Sequence, residues 1–167
     1  VVADYGNRLS IAAVNGPTSV VLSGDEDAVD EVERLFAGRG RKTTRLRVSH
    51  AFHSARMEPM LDEFRSIATR MSYRVPAVPI VSNLTGRVMD QEPTDPEYWV
   101  RQVRSAVRFA PGIHTVVASG ARRFLELGPD AALSAMVRQC LAVDPEVEAR
   151  AVVAAAARRG ADEVFRF

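Results

Sequence analysis

The spacing of apolar side chains divides this chain into short strands and amphipathic helices. Leu9 to Val14 is a β-competent run, followed by Asn15-Gly16-Pro17-Thr18 and a second run from Ser19 to Leu22. Two such runs around Asn-Gly predict a hairpin, with the proline stretching the turn beyond two residues. Asp25 is placed to cap a helix from about Glu26 to Ala37, with acids in its first turn. Val29, Val32, Leu35 and Phe36 form one stripe on that helix, and Gly38 and Gly40 end it. From Thr43 to Val48 the period changes to two. Leu46 and Val48 share one face and Arg45 and Arg47 the other, which predicts a half-buried strand.

Strand, strand, helix, strand matches the last four elements of a ferredoxin-like β-α-β-β-α-β unit. The first strand of that unit is central and pairs with the last. Without it, Thr43 to Val48 would expose unpaired backbone groups. A strand and a helix are therefore expected upstream of residue 1, and the chain has no starting methionine. Residues 1–49 are read as this partial subdomain and residues 50–167 as a second one. In the second, helical spacing runs from Ala55 to Arg70, with Pro59 in its first turns. A strand is expected over Val78 to Ser82, a turn at Thr85-Gly86, and a helix holding Tyr98, Trp99, Val100, Val103 and Val107. Pro111-Gly112 restarts a helix through Ala118, Arg123 to Leu127 reads as a buried strand, and a helix runs from Asp130 to Leu141. This alternation predicts a parallel α/β layer, so the fold class is α+β / α/β. The tail from Arg150 is alanine-rich and ends in a basic, amphipathic stretch.

Composition narrows the function classes. The chain has 167 residues, 22 Lys and Arg against 21 Asp and Glu, and a net charge of +1. That balance argues against a dedicated nucleic-acid binder. No apolar run approaches the roughly 20 residues that span a bilayer, so no membrane partner is expected. Cys140 is the single cysteine, in a helical setting that suits a buried structural thiol, and a reducing cytoplasm is the natural setting.

The densest candidate chemistry is His-Ala-Phe-His-Ser, residues 50–54, at the junction of a basic strand and an amphipathic helix. An imidazole can take up and return a proton near neutral pH, so His53 can serve as a general base. The alternative is that His50 and His53 are turn histidines satisfied by backbone or solvent. Histidines three apart can share a metal, but a third ligand is wanting, with Glu58 and Asp62 the only acids nearby, and no metal is assigned. Arg39 to Arg47 reads either as a solvated strand face or as a surface steering an acidic carrier protein or CoA phosphates. Gly128-Pro129 is a strand-to-helix turn, and the carboxylate of Asp130 favours capping there over phosphate binding.

The chain resembles the acyltransferase domain of modular type I polyketide synthases and, more distantly, malonyl-carrier-protein transacylases. The residues that carry the likeness are Ala12 to Pro17, Val20 to Gly24, Val48 to Met57, Tyr98 to Gln102, Val107 to Phe109 and Phe124 to Leu133. The resemblance implies the C-terminal portion of such a domain: a partial ferredoxin-like subdomain packed on part of an α/β-hydrolase-like large subdomain. It implies a serine in a Gly-His-Ser-x-Gly elbow that attacks malonyl-CoA, with His53 as base and then acid. No such elbow stands in these residues, nor does the arginine that pairs with the substrate carboxylate, so this chain is expected to be inactive alone. The resemblance further implies that a backbone carbonyl near Gln102 orients His53. Gln102 read on its own is a solvent-facing helix residue.

Family members that use malonyl units resemble His-Ala-Phe-His, and those that use methylmalonyl resemble Tyr-Ala-Ser-His. Phe52 would then fill the space a C2 methyl needs, with His50 beside it; it also reads as a core aromatic. Asn15 is placed either lining the cleft or in a hairpin turn, and Asn83 on the same cleft. The implied partners are malonyl-CoA, an acyl carrier protein bearing phosphopantetheine, and the upstream half of the same acyltransferase. No bound cofactor is implied. The alternative function is a non-catalytic α+β module that docks a carrier protein.

Overall fold

Leu9–Gly16 (β1) and Ser19–Gly24 (β2) form an antiparallel hairpin in the computed structural model, which describes residues 1–128 and 131–156. The turn is Pro17-Thr18 alone. Asn15 and Gly16 belong to β1, and Gly16 pairs with Ser19. The extra length is absorbed by two irregularities in β1, between Ile11 and Ala13 and between Val14 and Gly16. Gly24 closes the hairpin where a side chain would meet the Arg8 carbonyl at 2.1 Å, so no other residue fits.

Helix α1, Glu26–Gly38, lies on the hairpin through Ala28 and Val32, which pack with Leu9 in a small core. Asp25 stands at the N-cap position, but its side chain caps nothing there. It turns to Arg8 and Arg56 instead. Gly40 has φ +68 and donates to the Ala37 carbonyl at 2.9 Å, which ends the helix as the glycine pair predicts.

The strand expected over Thr43 to Val48 does not form. Residues 41–48 carry no regular structure and every one is exposed. A strand exists only by pairing, and no described segment pairs with this one. The hairpin and α1 therefore supply three of the four expected elements. Arg45 holds the segment to α1 through Glu26 at 3.0 Å and Asp30.

A short 3-10 turn, Ala55–Met57, leads into α2, Glu58–Ala68, with Pro59 in the first turn as expected. The strand expected over Val78 to Ser82 shrinks to one bridge, Val81 to Val88. Pro79 has no N–H to give to a ladder. Gly86 has φ +71, and a Cβ there would sit 2.7 Å from that of Pro111. Helix α3, Pro96–Arg104, is capped by Asp95, which accepts from the Glu97 N–H at 2.9 Å. It ends before Val107. That residue leaves the expected helix and bridges β1 in parallel, donating to Ala12 and accepting from Val14, both at 2.8 Å.

Helix α4, Phe109–Ala118, starts two residues before Pro111. Arg123–Leu127 (β3) and Val152–Ala156 (β4) pair in parallel, joined by α5, Ala132–Leu141, and α6, Pro145–Arg150. The parallel layer is thus present, with two elements the spacing did not predict: β4 in the alanine-rich tail and α6 just before it. β3 is covered on one face only: Leu125 and Leu127 are 64% and 79% exposed, against the expectation of a buried strand. Pro129, Asp130 and the basic end of the tail lie outside the described residues. Among the described residues no helix is long and apolar enough to cross a membrane.

Candidate active site

His53 is the only described non-glycine residue with positive φ, at 58°. A side chain in that region is strained, and such strain persists only where the surroundings hold it. Here they do so on three sides. The His53 N–H donates to the Val103 carbonyl at 3.2 Å. Its ring Nδ1 lies 3.0 Å from the Gln102 carbonyl oxygen and 2.8 Å from that of Ser105. The next residue, Ser54, is fully buried; its hydroxyl donates to the Ala51 carbonyl at 2.6 Å and accepts from the Arg56 N–H.

The carbonyl shelf follows from how α3 ends. The last turn of a helix leaves carbonyls without intrahelical partners, and they carry the negative end of the helix dipole. Two of these, on Gln102 and Val103, are satisfied by His53. Ser105 is extended, and two residues later Val107 is fixed to the edge of β1. The hairpin thereby holds the third carbonyl in place.

Carbonyl oxygens only accept, so both contacts require the proton on Nδ1. Nε2 of the neutral ring then carries the free lone pair. No carboxylate is needed for this, and among the described residues none bonds the ring. The orienting carbonyl expected near Gln102 is at hydrogen-bond distance. The one on Ser105, which sequence reading missed, is closer. Its backbone identity left no side-chain signal to find.

The other candidate residues are spread more widely. His50 is exposed, with Nδ1 2.9 Å from the Ser49 hydroxyl, and its ring stands 5.8 Å from that of Phe52. Phe52 is 48% exposed, so it is no core aromatic among the described residues. Asn83 donates nothing to the histidine; its carbonyl accepts from the Arg108 N–H at 2.7 Å. With Gln102 it lines a cleft of about 470 Å³ under α3, walled by Tyr73, Tyr98 and Trp99. The Gln102 amide oxygen is buried without a partner among the described residues, so the solvent-facing reading of that residue fails.

Asn15 is a strand residue, not a turn asparagine, and its carbonyl accepts from the buried thiol of Cys140 at 3.3 Å. The structure does not bring Asn15 into hydrogen-bond contact with His53. Burial pushes the Cys140 thiol up, which suits a structural role. Ser82, beside Asn83, is buried and pairs with the Tyr98 hydroxyl at 2.8 Å, pinning the Ser82–Gly86 turn to α3. Among the described residues no three His, Cys, Asp or Glu side chains converge as a metal site would need.

The acyl transferase domain family matches residues 3–167. The chain is 49% identical over 163 residues to the spectinabilin polyketide synthase system protein NorB of Streptomyces orinoci, covering 97% of this chain and 8% of that protein. The acyltransferase domain from the second module of the salinomycin polyketide synthase matches at 52% identity and a TM-score of 0.82, over 92% of this chain and 34% of that one. Malonyl-CoA:acyl carrier protein transacylase from Xanthomonas oryzae pv. oryzae matches at 28% identity and a TM-score of 0.73, over 79% of this chain and 42% of that one. The chain belongs to the acyl transferase domain family, and its relatives are modular polyketide synthases of which it spans a small part.

Proposed function

We propose that this chain is the base-bearing part of an acyltransferase that moves a malonyl unit from malonyl-CoA to an acyl carrier protein. The observation that carries it is the Nδ1 of His53 held by two carbonyls, which leaves Nε2 as a positioned base. A serine from outside these residues attacks the thioester carbonyl while Nε2 removes its proton. Coenzyme A leaves as the thiol, taking that proton back. The phosphopantetheine thiol of the carrier then gives its proton to Nε2 and attacks the acyl-serine, and the serine recovers the proton. The α3 carbonyls stabilise the positive charge that the ring carries between these transfers.

Ser54 is not the nucleophile in this reading. It has no exposed surface, and its hydroxyl is committed within the loop. Phe52, with His50, excludes substituents at C2 of the extender unit and so selects malonyl. Asn83 lines the cleft under α3, and Asn15 on β1 is read as bordering the substrate cleft. The hairpin and α1 are read as part of a ferredoxin-like subdomain whose first strand and helix lie outside these residues. Thr43 to Val48 is its last strand, which forms only when paired with that first strand.

The test is malonyl transfer to a carrier protein by the full polypeptide that contains this segment. His53→Ala is expected to abolish transfer while the fold, read by thermal melting, persists. The 167-residue chain mixed alone with malonyl-CoA is expected to show no adduct by intact mass. An adduct on it, or full transfer by His53→Ala, overturns the reading.

A further inference from the structure

Asp25 sits where a helix cap belongs and does something else. An aspartate at the first position before a helix ordinarily accepts from backbone N–H groups of the first turn. The Asp25 carboxylate makes no such bond. Its Oδ1 pairs with Arg56, and its Oδ2 lies 3.4 Å from the Nε of Arg8. The Asp25 side chain is only 17% exposed, whereas those of Arg56 and Arg8 are about half exposed. The Arg56 guanidinium holds the Asp25 carboxyl below the usual carboxylate range.

Arg56 is three residues after His53, in the 3-10 turn that the buried Ser54 caps. That turn has an inner anchor in the buried Met57 and an outer one in Asp25. The carbonyl shelf fixes the ring of His53, but its strained backbone joins directly to this turn. We propose that Asp25, acting through Arg56, is a positioning residue that holds the His53 loop against the α3 carbonyls. The inference rests on the reading of His53 as the base. Exposed ion pairs contribute little to stability, so the expected effect is on geometry and rate.

The comparison is made in the full polypeptide, with kcat and KM for malonyl transfer measured for Asp25→Asn, Arg56→Gln, Arg56→Lys and the double variant Asp25→Asn/Arg56→Gln. Asparagine can still cap the helix, so Asp25→Asn removes the pairing and leaves the capping option open. Each single loss is expected to lower kcat about tenfold, the cost of a slightly misplaced base, with KM for malonyl-CoA held within about twofold. Arg56→Lys keeps the charge and is expected to recover most of the rate. The double variant is expected to be no worse than either single one, because the two residues act as a unit. Arg138→Gln, which breaks a side-chain bond from α5 to the Val153 carbonyl of β4, is expected to leave kcat unchanged.

Wild-type kcat in both single variants overturns the proposal, as does a multiplied loss in the double variant. A kcat loss that Arg56→Lys fails to recover, accompanied by a lowered melting point, assigns the pair to folding alone and also overturns it. His53→Ala run alongside separates the two levels. If it transfers at the wild-type rate, the assignment of the base fails and the positioning role goes with it. If it is inactive while Asp25→Asn and Arg56→Gln both keep the wild-type kcat, only the positioning role fails.

Discussion

Residues 39–50 and residues 53–57 are separated by a handful of positions and are built in opposite ways. The first segment is exposed throughout, pairs with no strand, and touches the rest of the molecule through exposed ion pairs such as Arg45 with Glu26. The second is held by three backbone carbonyls, a buried serine and a buried methionine. The boundary falls between Phe52, which is half exposed, and His53, which is not. In this segment the proposed base is fixed by contacts with residues some 50 positions away, whereas the proposed selectivity residue has no described wall opposite it. Proton transfer demands placement within hydrogen-bond reach, and discrimination by volume demands only that space be filled.

Substitutions at the two regions sharpen this contrast. The largest effect is expected for His53→Ala, with loss of malonyl transfer by about 10²–10⁴-fold, the usual contribution of a general base. Steady-state transfer assays on the full polypeptide read it. Next is Phe52→Ser, which opens space without touching the base. It is expected to raise the ratio of methylmalonyl to malonyl transfer by roughly tenfold to 100-fold, since overpacking by a methyl costs about 1–3 kcal/mol. Competition between the two thioesters measures the ratio, and an unchanged ratio would remove Phe52 from selectivity.

Ser54→Ala is expected to cost about 1–3 kcal/mol by leaving the Ala51 carbonyl and the Arg56 N–H without their partner. Denaturant titration reads that loss. Retained transfer in the folded variant would agree with a structural role, and complete loss with an intact fold would contradict it.

A smaller effect is expected from acid. Burial alone would raise the Glu126 carboxyl, but its bonds to the Ser134 and Leu133 N–H groups at the start of α5 hold it below the usual range. Asp25 is held down by Arg56. A carboxyl lowered by folding stabilises the native state above its unfolded pKa, near ~4. That stabilisation is lost as pH falls through the folded value. Melting temperature should therefore drop below about pH 4, and Glu126→Gln should flatten that drop. A slope identical to wild type would show that Glu126 contributes nothing to it.

How much of this was legible in the sequence depended on whether the signal was local. The hairpin, α1, α2 and α3 were readable because their apolar spacing and the turn residues beside them are local signals. Thr43–Val48 has equally good alternation and forms no strand, because pairing needs a neighbour that periodicity cannot report. Val107 looked like the next helical apolar residue, but the edge of β1 captured it. β4 was hidden because a short alanine and valine run carries no period that separates it from a helix. At the site, the spacing of His50 and His53 left a base and a turn residue both open, and family resemblance pointed to the first. Position 102 was marked by resemblance. Ser105 carried no mark, because a carbonyl that orients a ring is the same whatever side chain it bears.

The account turns on which ring nitrogen of His53 holds the proton. Nitrogen-15 NMR of the His53 ring, in full polypeptide labelled at histidine and assigned by comparison with His53→Ala, reads this directly. A single neutral tautomer protonated at Nδ1 is the predicted result, with both shelf carbonyls accepting and Nε2 free to take the proton of the nucleophile. A ring protonated at Nε2 would contradict it, because the lone pair would then face two carbonyl oxygens and no base would face the substrate.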